Sequence, residues 1–162
     1  MKLWQIYLES TVSRNIQVVP YDDEGWDTDY DPYIVADQAE KIASESGIRI
    51  ASNKNLSYVA LDGDTAVGAV WSDRYHDDDQ DADVYDFDMA IDNHYRNQVG
   101  TFLQLMDAAL NDFREMKAEN PRTFIRVWVV NPRLASVLEK RYDFEFESQH
   151  GDSSAHMVYY GE

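Results

Sequence analysis

Residues 84 to 117 constrain the fold more than any other stretch. Val84-Tyr-Asp-Phe-Asp-Met-Ala-Ile91 alternates with a period of two and reads as a strand. Tyr85, Phe87, Met89 and Ile91 fall on one face, and Asp86, Asp88 and Ala90 on the other. A short turn follows, carrying Arg96, Asn97, Gln98 and Gly100. Beyond it Phe102, Leu103, Leu105, Met106, Ala109, Leu110, Phe113 and Met116 recur at helical spacing and mark one apolar stripe, which Asn120-Pro121 terminates. A strand that feeds a helix through such a turn builds an anion site. The first backbone N–H groups of the helix have no intrahelical partner, and the helix dipole adds positive potential there.

The flanking segments extend an alternation of strands and helices. Residues 2 to 8 and 15 to 20 read as strands. Residues 21 to 33 mix acids and aromatics without a period and read as a loop. Pro32 opens a helix over residues 33 to 46, with Ile34, Val35, Ala39, Ile42 and Ala43 on one side and Gly47 as its stop. Ser57–Leu61 and Thr65–Ser72 flank Asp62-Gly63-Asp64 and predict a hairpin. Residues 73 to 83 hold Asp73, Asp77, Asp78, Asp79, Asp81 and Asp83 around His76. They lack the glycine and terminal glutamate of a calcium loop and read as a solvated hairpin tip. Phe124–Val130 reads as a buried strand, and Asn131-Pro132 opens a helix to about Arg141. Phe144–Glu147 and Ala155–Tyr160 read as closing strands around Gly151-Asp-Ser-Ser154. The whole predicts one α/β domain over residues 1 to 162, with a central mixed twisted sheet of about six to seven strands and about three to four helices.

Charge narrows the partners. Thirty-one acids against fourteen bases give a formal net charge of −17, a field that repels nucleic acid and attracts a cationic amine or basic peptide. The absence of cysteine excludes disulfides, thiolate metal sites and covalent thiol catalysis, and fits a cytoplasmic setting. No run of about 18 apolar residues suggests a membrane span.

Three motifs in order resemble the GNAT superfamily of acetyl-CoA-dependent N-acetyltransferases. The hairpin Tyr58-Val-Ala-Leu-Asp-Gly-Asp-Thr-Ala-Val-Gly-Ala-Val70 is similar to the family's second and third strands. Met89-Ala-Ile-Asp-Asn-His-Tyr-Arg-Asn-Gln-Val-Gly-Thr-Phe-Leu103 is similar to its coenzyme turn and helix. Val130-Asn-Pro-Arg-Leu-Ala-Ser-Val-Leu-Glu-Lys-Arg-Tyr-Asp-Phe144 is similar to its later helix and loop. Departures are visible. With Gly100 in the last glycine slot, Gln98 stands where the first glycine is usual and Tyr95 where glutamine or arginine is usual. Asp143 stands where glycine is common, and Leu138 or Glu139 where a tyrosine is frequent.

The resemblance implies a GNAT-like fold and direct attack of an amine on the thioester of acetyl-CoA. It implies that backbone N–H groups at Ala90 and Ile91 meet the pantetheine and the oxyanion. Those of Gln98, Val99, Gly100, Thr101 and Phe102 would hold the pyrophosphate, with Arg96 adding charge and Asn131 reaching in from the next strand. Asp86, Asp88 and Tyr85 are the candidates for the base, and Tyr142 for the acid that protonates the thiolate. His156 and Tyr159 are candidates for the acceptor site. The expected partners are acetyl-CoA and an amine or basic-peptide acceptor, with no nucleic acid and no membrane, and a homodimer is allowed. The alternative is a GNAT-fold acidic binding or assembly module that has lost its chemistry.

Overall fold

The computed structural model describes residues 16–24, 30–96, 99–150 and 154–161. The strand expected over residues 2 to 8 lies outside the described residues. So do Asn97, Gln98 and the turn residues 151 to 153.

The elements follow as β1 (Ile16–Pro20), α1 (Pro32–Glu45), β2 (Asn55–Asp62), β3 (Thr65–Asp77), β4 (Ala82–Ile91), α2 (Val99–Glu119), β5 (Phe124–Val129), α3 (Pro132–Tyr142), β6 (Glu145–His150) and β7 (Ser154–Tyr159). The seven strands form one sheet in the order β1-β2-β3-β4-β5-β7-β6. It is mixed: β1 pairs antiparallel with β2, β4 parallel with β5, and β7 antiparallel with both β5 and β6. The parallel strands β4 and β5 are joined through α2, as a crossover connection requires. The α/β expectation therefore holds.

Contacts cluster into two units. Among the described residues, those up to Trp71 and those within Met89–Leu110 make the first, and those within Ser72–Asp88 and from Asn111 onward make the second.

In the first unit, α1 begins where Asp31 accepts hydrogen bonds from the N–H groups of Tyr33 (3.0 Å) and Ile34 (3.4 Å), with Pro32 at the first helical position. Its buried side, Val35, Ala39, Ile42 and Ala43, packs on Val59, Leu61, Ala66, Ala69 and Trp71 from β2 and β3, and on Ala90 from β4. Gly63 turns the β2–β3 hairpin at φ 65°, which a glycine adopts without steric cost. Gly68 serves packing instead. A Cβ there would sit 3.0 Å from Leu105 Cδ1 and 3.2 Å from the Ala90 carbonyl oxygen.

In the second unit, residues 73 to 83 differ from the solvated hairpin tip expected of them. They are not one hairpin tip, because β3 continues to Asp77 and β4 begins at Ala82, leaving only residues 78 to 81 as the turn. Side-chain pairing across the two strands explains the extension. His76 Nδ1 lies 2.9 Å from Asp83 Oδ1, and Asn120 donates to Asp83 Oδ2 at 2.9 Å. Arg122 donates to Asp81 Oδ2 at 3.2 Å and to the Gln80 carbonyl at 3.0 Å. No group of acids and histidines among the described residues has the geometry to hold a metal ion.

The interior of this unit includes Ala82, Val84, Phe124 and Val158. Tyr159 stacks on Phe144 (5.1 Å between centroids) and meets Phe113 (5.6 Å). Helix α3 ends on Asp143 in the left-handed region (φ 61°, ψ 30°), with the Phe144 N–H on the Leu138 carbonyl at 3.0 Å. That conformation is the reason glycine suits the position. Strand β5 also differs from expectation. It is not buried on both faces, since Trp128 is 48% exposed.

Candidate functional site

The turn between β4 and α2 is fixed by its own side chains. The Asp92 N–H donates to the Val67 carbonyl at 2.8 Å. The Asp92 carboxylate accepts from the His94 N–H at 2.9 Å and lies 3.0 Å from His94 Nδ1. The His94 amide, followed by its ring and the charge of Arg96, holds the Asp92 carboxyl below its ordinary value. The Tyr95 hydroxyl donates to Asp62 Oδ2, which ties the turn to the end of β2. Arg96 donates from Nε to the Ile91 carbonyl (3.0 Å) and from Nη2 to Ser46 Oγ (2.6 Å). Ser46 in turn donates to the Ile42 carbonyl at 2.7 Å. An exposed guanidinium is thus held at the entrance of α2.

The dipole of α2 adds positive potential at its start. The first turn of α2 contains no acid, as is also true of α1 and α3. Gly100 is buried, and Phe102 is partly exposed. Thr101 is 1% exposed, and its Oγ1 has no hydrogen-bond partner. A buried hydroxyl left in that state costs free energy and calls for an explanation.

The remaining sequence-predicted residues distribute as follows. Ala90 is buried in the core of the first unit, and Ile91 is half-buried. Tyr85 is fully buried, with its ring 5.8 Å from Phe87. Asp86 and Asp88 are half-buried, and Asp86 stands beside Arg126 in the β4–β5 register. That ladder pairs Val84–Asp86 with Phe124–Arg126; Phe87 and Asp88 on β4 and Val127 to Val129 on β5 lie beyond its last rung. Asn131 caps α3, accepting from the Arg133 N–H at 2.9 Å. Tyr142 is the half-buried last residue of α3, whereas Leu138 points into the core at 2% exposure and Glu139 is exposed.

A second cluster was not foreseen as a whole. Trp128, His156 and Ser148 are register partners across β5, β7 and β6. The Trp128 and His156 rings meet edge to face at 4.6 Å and 86°, and Ser148 Oγ lies 3.3 Å from His156 Nδ1. The signal was available in the parity of β5, where Arg126 and Trp128 share one face. An arginine two residues from a tryptophan argues against burial of that face.

No protein-family model matches the sequence, and no curated protein matches it. Solved structures do match in shape. Arabidopsis thaliana NAA60, determined in complex with acetyl-CoA, is 15% identical with a TM-score of 0.57, over 90% of this chain and 98% of that one. The chain has the GNAT fold. A GNAT-family acetyltransferase of Staphylococcus aureus is 14% identical at a TM-score of 0.53, over 89% of this chain and 98% of that one. One from Streptococcus pneumoniae is 12% identical at 0.53, over 90% and 98%. No helix among the described residues is long and apolar enough to cross a membrane.

Proposed function

We propose that this GNAT-fold chain is an acetyl-CoA-dependent N-acetyltransferase that transfers the acetyl group to a primary amine by direct attack. The observation that carries the reading is the acid-free start of α2 with Arg96 held before it by Ile91 and Ser46. A helix start free of acids with a guanidinium held before it suits a phosphate. The N–H groups from Gln98 and Val99 through Gly100, Thr101 and Phe102 are the donors for the pyrophosphate, and the unpartnered Thr101 hydroxyl joins them only through a path into the core, since it is buried.

Each chemical task has a candidate in this chain. Backbone N–H groups at Ala90 and Ile91 take the thioester carbonyl and stabilise the oxyanion. The amine must be neutral to attack. Asp86 or Asp88 is the candidate to receive its proton, directly or through water. Tyr85 is the third candidate and requires a path through the core, since it is fully buried. Tyr142 supplies the proton to the departing thiolate, and Asn131 contacts the coenzyme with the part of its carboxamide that does not cap α3.

A second reading is favoured by one observation. The usual tyrosine slot is filled by the core residue Leu138 or the exposed Glu139, which suits an acidic module that binds coenzyme without turnover. Calorimetric titration with acetyl-CoA, followed by an amine panel, tests both. The absence of heat at millimolar coenzyme defeats the enzyme reading, and saturable binding without turnover favours the second.

A further inference from the structure

We propose that the cavity between the β3–β4 hairpin and the end of α2 is a second binding site, and that it takes a zwitterionic amino acid with an apolar side chain. The cavity lies within the second unit and uses none of the residues assigned to the coenzyme. It is independent of the acetyltransferase reading.

The cavity measures about 340 Å³, at the small end of the range for ligand sites, about 300–1,000 Å³. Arg74, Tyr75 and His76 of β3, Asp83 of β4, and Met116 and Glu119 of α2 line it. Three of these side chains are already fixed. His76 Nδ1 lies 2.9 Å from Asp83 Oδ1, and His76 Nε2 lies 3.3 Å from Asp81 Oδ1. The other oxygen of Asp83 accepts from Asn120 at 2.9 Å, and the Tyr75 hydroxyl accepts from Arg126 at 3.2 Å. Such a wall needs no ligand to hold its shape, which lowers the ordering cost on binding. Met116 supplies an apolar surface. It is 8% exposed, and its thioether adapts to the outline of an apolar group.

Arg74 and Glu119 are different. Both are exposed, they carry opposite charge, and they border one cavity. Among the described residues neither has a hydrogen bond or an ion pair, with each other or with a third group. Glu119 is also the last residue of α2, where the negative end of the helix dipole disfavours a carboxylate and favours a cation beside it. An α-amino acid carries both complementary charges on one carbon. Its carboxylate matches the guanidinium fork of Arg74, its ammonium matches Glu119, and its side chain covers Met116. A ligand of single charge answers one of the two residues and meets like charge at the other. An anion alone is further disfavoured by the net charge of −17.

The test follows the methyl resonance of Met116 in protein with labelled methionines, assigned through Met116→Leu. The probes are L-leucine and L-phenylalanine. L-leucinamide, which lacks the carboxylate, and N-acetyl-L-leucine, which lacks the ammonium, are the controls. Both amino acids are expected to shift the resonance saturably, and each control to bind at least about tenfold more weakly. Arg74→Gln and Glu119→Gln alter exposed positions, so the fold is kept. Each is expected to weaken leucine about five- to thirty-fold without loss of thermal stability. A control that binds as tightly as leucine, leucine affinity unchanged in either variant, or no saturable shift with either amino acid overturns the proposal.

Discussion

Arg96 donates from Nε to the Ile91 carbonyl at 3.0 Å and so folds the turn back onto the last residue of β4. The same guanidinium reaches Ser46 at the end of α1, fifty residues earlier in the chain. Lysine has the charge but lacks the fork that serves two acceptors in different directions. Arg96→Lys is expected to retain most long-range attraction yet lose about five- to tenfold in acetyl-CoA affinity, and Arg96→Ala more. Calorimetry on both variants checks this. Equal affinity in Arg96→Ala and the wild type would remove Arg96 from the site.

Thr101 offers a test in which stability and binding move oppositely. Its buried Oγ1 is unpartnered. Thr101→Val keeps the shape, removes the hydroxyl and is expected to stabilise the ligand-free protein by about 1 kcal/mol. Acetyl-CoA affinity should fall about tenfold if the hydroxyl serves the phosphate. Thermal unfolding with and without coenzyme reads both effects in one series. A variant that binds as well as the wild type would assign Thr101 to the core alone.

Gly68 sets the distance between β3 and the side chains above it. Gly68→Ala brings a Cβ to 3.0 Å from Leu105 Cδ1 and is expected to cost about 1–3 kcal/mol by overpacking. Adding Leu105→Ala removes the colliding methyl group. The double variant should therefore be less destabilised than the sum of the two singles, by about 0.5 kcal/mol or more. Denaturant unfolding of the four proteins measures that difference, and strict additivity would contradict the close approach.

His76 and Asp83 make stability depend on pH in a definite direction. Hydrogen bonding to Asp83, then the charges of Asp83, Asp78 and Asp81, raises His76 above its ordinary value of 6.5. Hydrogen bonds from His76 and Asn120 lower Asp83 below its ordinary value of 3.8. A raised histidine stabilises fully below 6.5 and loses that contribution as pH rises through its folded value. A lowered carboxyl stabilises above 3.8 and loses its contribution as pH falls through its own folded value. The melting temperature of the wild type should therefore exceed that of His76→Gln most between those two limits. The gap should narrow toward alkaline pH and again in acid. A gap independent of pH would show that the pair adds no charge-dependent stability.

Asp143 occupies the left-handed region at the end of α3 with φ 61°. Glycine enters that region without a Cβ penalty, and Asp143→Gly is expected to stabilise by about 0.5–1 kcal/mol. Thermal unfolding checks it; a lower melting temperature would mean that the Asp143 side chain contributes more than its backbone costs.

The segments legible in the sequence were those whose determinants are local. Pro32 marked the start of α1, and Asp62-Gly63 turned the β2–β3 hairpin. The apolar stripe from Phe102 to Met116 marked α2. The alternation of residues 84 to 91 identified β4 but not how its faces are covered. Ala90 shares its face with Asp86 and Asp88 and is buried, because α1 comes from elsewhere in the chain to pack there. The same limit applied to residues 73 to 83. A run of aspartates resembles solvated loop, yet His76, Asn120 and Arg122 pair with Asp83 and Asp81 and let the strands continue.

By itself, the sequence determined the order of strands and helices, the turn that enters α2 and the excess of negative charge. These depend on periodicity, capping and composition, which act within a few residues or add over the whole chain. Only the tertiary structure decided that Ser46 and Ile91 hold Arg96, that Asp62 holds Tyr95, and that Trp128, His156 and Ser148 come to one sheet face. Those are pairings between residues far apart in the chain. Sheet register and helix packing select them, and no local pattern carries that information.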